Sequence, residues 1–150
     1  MTLVSDLTDH TGFWMRMVSN AVSQEFARKV AAEGVTVAEW SFMRALYDQD
    51  PMPPSVLADR MGLTKGAVSK LADRLLTKGL IERTENPRDK RAHRLSLTGD
   101  GRVKVPALAA LADENDATYF GVLSKSEHDT LNRILRALAE RRGLKTTPVD

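Results

Sequence analysis

The side chains between Arg60 and Lys104 best equipped for chemistry are cations rather than nucleophiles. Lys65, Lys70, Arg74 and Lys78 fall along one stretch; Arg88, Lys90, Arg91 and Arg94 fall along the next, with Asp89 as their only counter-charge. From Arg60 to Lys104 there are twelve Lys or Arg against five Asp or Glu, in a chain whose formal net charge is only +2. The basic excess is concentrated there, and the remaining residues are acidic in balance. Ammonium and guanidinium groups gathered in this way do non-covalent chemistry. They neutralise and hydrogen-bond a polyanion, or they simply solvate an exposed face.

Residues for covalent or metal chemistry are scattered. His10, His93 and His128 lie far apart, with no metal-ligand spacing among them. The chain has no cysteine, which excludes disulfides, thiolate zinc sites, cysteine nucleophiles and thiol-based oxidation sensing. Gly99-Asp100-Gly101 begins like a dinucleotide fingerprint, but Lys104 stands where the third glycine is needed. Thr64-Lys65-Gly66 lacks the glycine spacing of a phosphate-binding loop. The expectation is no catalytic residue, no metal and no cofactor, and therefore not an enzyme.

The elements that position the cations are readable from period and punctuation. Apolar residues Trp14, Met17, Val18, Ala21, Val22, Phe26 and Val30 recur at helical steps from Asp9 to about Glu33, and Gly34 ends that helix. A second helix follows Thr36 with Trp40, Met43, Leu46 and Tyr47 inward. Asp48 to Pro54, with three prolines, is a turn. Ser55–Met61 is a short helix stopped by Gly62, and Thr64 caps another that reaches Lys78 before Gly79. Two short helices around a tight glycine turn make a helix-turn-helix pattern. Leu80–Glu85 and His93–Leu97 look like short strands, the second alternating cleanly between polar and apolar, around a basic loop over residues 86–92. Helical character resumes from Thr98 to Leu123, where Pro106 predicts a kink or a late start. The last helix opens on the capping pattern Ser124-Lys125-Ser126-Glu127 and carries Leu131, Ile134, Leu135 and Leu138 on one stripe. The order is four helices, a hairpin, then two helices, a mainly α chain.

At about 100° per residue, Val68, Leu71, Ala72 and Leu75 share one side of the helix from Thr64. Gly66, Ser69, Lys70, Asp73, Arg74 and Thr77 share another. Gly66 and Ala67 keep its leading end slim. A B-DNA major groove about 12 Å wide accepts such a helix and is read by residues near its N-terminus. Thr64, Lys65, Ala67, Ser69, Lys70 and Arg74 are the candidate contacts, with Lys65, Ser69 and Lys70 aimed at base edges. Arg74 and Lys78 are suited to phosphates. The same arc also describes an ordinary amphipathic surface helix. The hairpin that follows favours DNA, because a basic loop bearing Arg88, Asp89, Lys90, Arg91 and Arg94 beside a groove-reading helix can place an arginine in a minor groove.

Taken together, these motifs resemble the MarR family of bacterial transcriptional regulators. The similarity runs from about Val35 to Gly101. Its most specific part is Asp89-Lys90-Arg91 followed by Leu95-Ser96-Leu97-Thr98 and Gly101, like the family's wing motif. Leu57-Ala58, Gly62-Leu63-Thr64, Val68-Ser69, Asp73-Arg74-Leu75 and Lys78-Gly79-Leu80 are similar to its helix-turn-helix.

The resemblance implies a winged helix-turn-helix fold of six helices and a two-stranded β-hairpin wing. It implies a DNA-binding region over residues 35–100 and dimerisation through N- and C-terminal helices over residues 9–34 and 101–142. It also implies a homodimer on a pseudo-palindromic operator in double-stranded DNA, Arg91 in the minor groove, and a repressor released by a small, often aromatic, effector. Phe13, Trp14, Met17, Trp40 and Met43 are the candidate lining of an effector pocket, or else core packing. A winged-helix protein-interaction module and a non-specific DNA-binding protein share the same fold and remain alternatives. With 150 residues, 42% of them hydrophobic, and no uncharged run longer than eight, the chain reads as one folded domain without a membrane span. Its expected location is the cytoplasm.

Overall fold

Four helices begin on a hydroxyl. The side-chain oxygens of Thr36, Thr64, Thr98 and Ser124 each accept a backbone N–H from three residues on, satisfying a donor that the first turn cannot satisfy itself. The computed structural model describes residues 3–149, apart from the side chains of Lys90 and Arg91. After a 3-10 turn at Leu7–Asp9 come α1 (Thr11–Ala31), α2 (Val37–Leu46), α3 (Pro54–Met61), α4 (Lys65–Thr77), strands β1 (Ile81–Asn86) and β2 (Asp89–Leu97), α5 (Gly99–Phe120) and α6 (Lys125–Arg141). The fold is thus mainly helical, with six α-helices and one two-stranded antiparallel hairpin among the described residues.

The core lies where α2, α3, α4 and the base of the hairpin meet α5. Phe42, Met43, Leu57, Val68, Leu75, Leu95, Val105 and Leu108 are essentially inaccessible there. The C-terminal part of α1 joins them through the buried Val30 and the half-buried Phe26. Its N-terminal part does not: Trp14, Met17 and Val18 are about half exposed. On α6, Ile134, Leu135 and Leu138 are similarly open. The stripes read from the sequence are present, but within one chain they are only partly covered.

Three sequence expectations are corrected. Residues 89–92 are strand rather than loop, so the hairpin turns over Pro87 and Arg88 alone, where the Asn86 side chain accepts the Arg88 N–H at 3.0 Å. This is an Asx-type closure that a run of polar residues does not reveal by itself. Next, α5 starts at Gly99 and runs through Pro106, which removes the late start. Pro106 is exposed, where water can serve the one carbonyl its missing N–H leaves free. Finally, the proline-rich connection is not only a turn. Met52 is buried, donates to Leu95 O at 3.0 Å and accepts from Leu95 N at 2.8 Å. Pro51 and Pro53 flank it, and a residue before proline is driven to extended backbone, which presents Met52 as a short third rung beside β2.

Candidate nucleic-acid interface

Burial divides α4 as its periodicity requires. Val68, Leu71, Ala72 and Leu75 are buried, and covering each of the three larger ones contributes about 1.5–3 kcal/mol. Lys65, Gly66, Ser69, Lys70, Asp73, Arg74 and Thr77 are all exposed, and Ala67 is half-buried. Thr64 Oγ1 accepts the Ala67 N–H at 3.1 Å, which fixes the start of the helix. None of the ion pairs among the described residues involves Lys65, Lys70 or Arg74; Asp73 faces Arg83 of β1 at 3.9 Å, both largely in solvent. A slim, cationic helix face therefore projects from the α3–α4 corner. With side chains an α-helix is about 10–12 Å across, matching a major groove.

The wing stands beside it. Ile81 pairs with Leu97 and Arg83 with Leu95, and the buried Ile81, Leu95 and Leu97 root the hairpin in the core. Thr98 ties three elements together. Its hydroxyl donates to Gly79 O at 2.7 Å and accepts from Gly101 N at 3.1 Å, while its N–H donates to Leu80 O at 3.1 Å. Gly101 is required there by space, since a Cβ would lie 2.1 Å from Leu80 O. Of the predicted wing residues, Arg88 and Asp89 are exposed near the tip, and Arg94 is half-buried. The Lys90 and Arg91 side chains lie outside the described residues.

Lys78, suited by its position to a phosphate, is also engaged within the chain. Its Nζ donates to Glu39 Oε1 and to Gly34 O, both at 2.8 Å. The Glu39 side chain is fully buried. Burial by itself raises its carboxyl pKa, but the Lys78 ammonium and the Thr36 N–H at 2.8 Å outweigh that and hold it below the ordinary carboxylate range. The pair ties the C-terminal end of α4 to the first turn of α2. Glu39 was missed in the sequence. The Thr36-x-x-Glu39 spacing is a capping-box signal that finds the residue, though not its second partner 39 positions on.

The five aromatic and methionine residues expected to line a pocket do not line the cavity found between α1, α2 and α5. Met43 is sealed in the core and Trp40 is half-buried against it. Phe13 and Trp14 meet edge to face on the N-terminal part of α1, where Met17 is half exposed. The cavity, about 240 Å³, is walled by Val22, Ser23 and Phe26 of α1, Val37 of α2, Ala112, Asn115 and Asp116 of α5, and Pro148. It lies farther along α1 than Phe13, Trp14 and Met17, beside Val22 and Phe26. No group of three or more His, Asp or Glu among the described residues is placed to hold a metal, and no described helix is long and apolar enough to cross a membrane.

A helix-turn-helix followed by a basic hairpin, with the second helix bare on its cationic side, defines a winged-helix DNA-binding protein. Comparison with known proteins narrows the class. Residues 33–92 match the MarR family. The HTH-type transcriptional repressor MdtR of Bacillus subtilis is 32% identical over 119 residues, 79% of this chain and 77% of that protein. Among solved structures, a probable transcriptional regulator from Pseudomonas aeruginosa is 28% identical with a TM-score of 0.78, covering 89% of this chain and 99% of that one. The S. aureus MepR–DNA complex is 25% identical with a TM-score of 0.78, covering 88% and 98%. The chain belongs to the MarR family of winged helix-turn-helix transcriptional regulators. It is a DNA-binding regulator of transcription and not an enzyme.

Proposed function

We propose that this regulator is a repressor that binds a pseudo-palindromic operator as a homodimer and is released by a small-molecule effector. The observation that carries the reading is α4, held by a buried apolar side and two tethers while Lys65, Ser69, Lys70 and Arg74 stay in solvent. Residues 35–100 form the reading head. Lys65, Ser69 and Lys70 meet base edges, Thr64, Ala67 and Arg74 complete the contact surface of the helix, and the wing residues Arg88, Asp89, Lys90, Arg91 and Arg94 address the adjacent minor groove.

Support for a dimer comes from the half-exposed apolar side chains of α1 and α6, Trp14, Met17, Val18, Ile134, Leu135 and Leu138. A face of this kind is uncommon on a monomer, and two-fold symmetry then sets half-sites about one helical turn apart. Support for an effector comes from the cavity between α1, α2 and α5, next to the head.

The test is selection of bound fragments from genomic DNA by the purified protein, followed by titration of one selected duplex at several salt concentrations. A palindromic consensus, with affinity falling linearly on a log–log salt plot, is expected. Equal affinity for selected and random duplex supports the non-specific alternative. A stoichiometric protein partner without nucleic-acid retention supports the interaction-module alternative.

A further inference from the structure

The segment after α6 touches two places that the helices alone keep apart. Leu144 N–H closes α6 by donating to Ala139 O at 2.9 Å, and the chain then runs back to the helix-turn-helix. Thr147 N–H donates to Met61 O, the last residue of α3, at 2.8 Å. The segment passes so near the following turn that a Cβ on Gly62 would lie 2.8 Å from Lys145 O and 2.9 Å from Thr146 Cα. Gly62 therefore does more than end α3 in the left-handed conformation, φ 66°; its bare backbone admits this strap. The next residue, Pro148, is one wall of the cavity.

Beside the cavity lies a buried polar group without a partner. Asn115 is 2% exposed; its Nδ2 donates to Val22 O at 3.1 Å and its Oδ1 has no partner. A carbonyl can only accept, so Val22 fixes the amide's orientation and leaves an acceptor in want of a donor. Most of the cavity's walls, Val22, Phe26, Val37, Ala112 and Pro148, are apolar, so an occupant of matching chemistry has an apolar body. The walls on α1, α2 and α5 belong to packed helices, whereas Pro148 sits on irregular chain, so the cavity enlarges most readily by moving Pro148.

We infer that residues 144–149 are a strap linking the cavity to the aim of α4. Docked, it braces the α3–α4 turn. An occupant that displaces Pro148 breaks the Thr147–Met61 bond and frees the turn, which weakens DNA binding. This rests on the effector-responsive reading above, and supplies its route.

The test uses the full chain. Native-state hydrogen exchange is read at the Thr147 amide in the wild type, in Pro148→Gly, which removes the wall, and in Ala112→Trp, which fills the cavity. Operator affinity is read in Thr147→Pro, which lacks the donor, beside Thr147→Ala, which keeps it. Thr147 is expected to be protected in the wild type and to exchange at least about tenfold faster in both cavity variants. Thr147→Pro is expected to bind operator about five- to tenfold more weakly, the scale of one lost hydrogen bond, with Thr147→Ala unchanged. Unaltered exchange in Pro148→Gly, or wild-type affinity in Thr147→Pro, overturns the strap. If the wild type binds no duplex, the regulator reading fails instead, and the exchange measurements still decide whether the strap docks through the cavity.

Discussion

Replacing Lys78 with alanine separates an aiming role from a DNA-contacting one. The change removes the Nζ donor to Glu39 Oε1 and to Gly34 O. The carboxylate remains inside with the Thr36 N–H on Oε1 and no partner on Oε2. Stripping one member from a deeply buried pair costs about 3–5 kcal/mol. The Lys78 side chain is 39% exposed, so water screens part of that interaction, and a loss of about 2–3 kcal/mol is the better expectation. In a chain of this size that lowers Tm by roughly 5–10 °C, measured at fixed protomer concentration because assembly also contributes to stability.

The pH dependence has a definite sign. The folded Glu39 pKa is depressed, so in the wild type its contribution is fully present above the unfolded carboxyl value of about 4.3 and is lost as pH falls through the folded value. The gap in stability between wild type and Lys78→Ala is therefore widest near neutrality and closes on acidification. A lost phosphate contact reduces the salt slope of DNA binding by about 0.9; no such reduction is expected here. A variant with wild-type Tm and that reduction in slope refutes the aiming role and restores Lys78 to the DNA interface.

Other consequences can be measured independently. Gly101→Ala places a methyl against Leu80 O and is expected to destabilise by about 1–3 kcal/mol in urea unfolding, since backbone rather than a flexible side chain must give way. Arg91→Ala is expected to weaken binding across operator variants, whereas Lys65→Ala and Ser69→Ala change which bases are preferred; identical profiles for all three in a binding-selection assay refute that division. If the proposed homodimer is built on the open stripe of α6, Leu138→Asp is expected to sediment as a monomer where the wild type sediments as a dimer, with reduced operator affinity; a variant that stays dimeric locates the interface elsewhere.

Much of the architecture is local and could be read from residue order. A hydroxyl followed by helical spacing starts α2, α4, α5 and α6, because capping and a 3.6-residue period depend on near neighbours. The same period separates Val68, Leu71, Ala72 and Leu75 from the cationic side of α4 before any partner is known. The wing was legible as a hairpin, but its reach was not. Residues 89–92 are mostly charged and carry no strand pattern, and the pairing of Asn86 with Asp89, followed by a shift of register before Glu85 meets His93, is set across the hairpin.

By itself, then, the amino-acid order determined the helices, the hairpin, the concentration of positive charge, the absence of thiol chemistry and the family resemblance. Tertiary structure decided which of those groups are free. It occupied Lys78 with a carboxylate 39 residues away and made Gly101 a matter of clearance from Leu80. It turned Met52 from a loop residue into a rung of the sheet, and it formed a cavity beside Val22 and Phe26. Each depends on contacts between segments distant in sequence. A periodic pattern fixes which side of a helix is apolar, but only packing determines what covers it and what remains open.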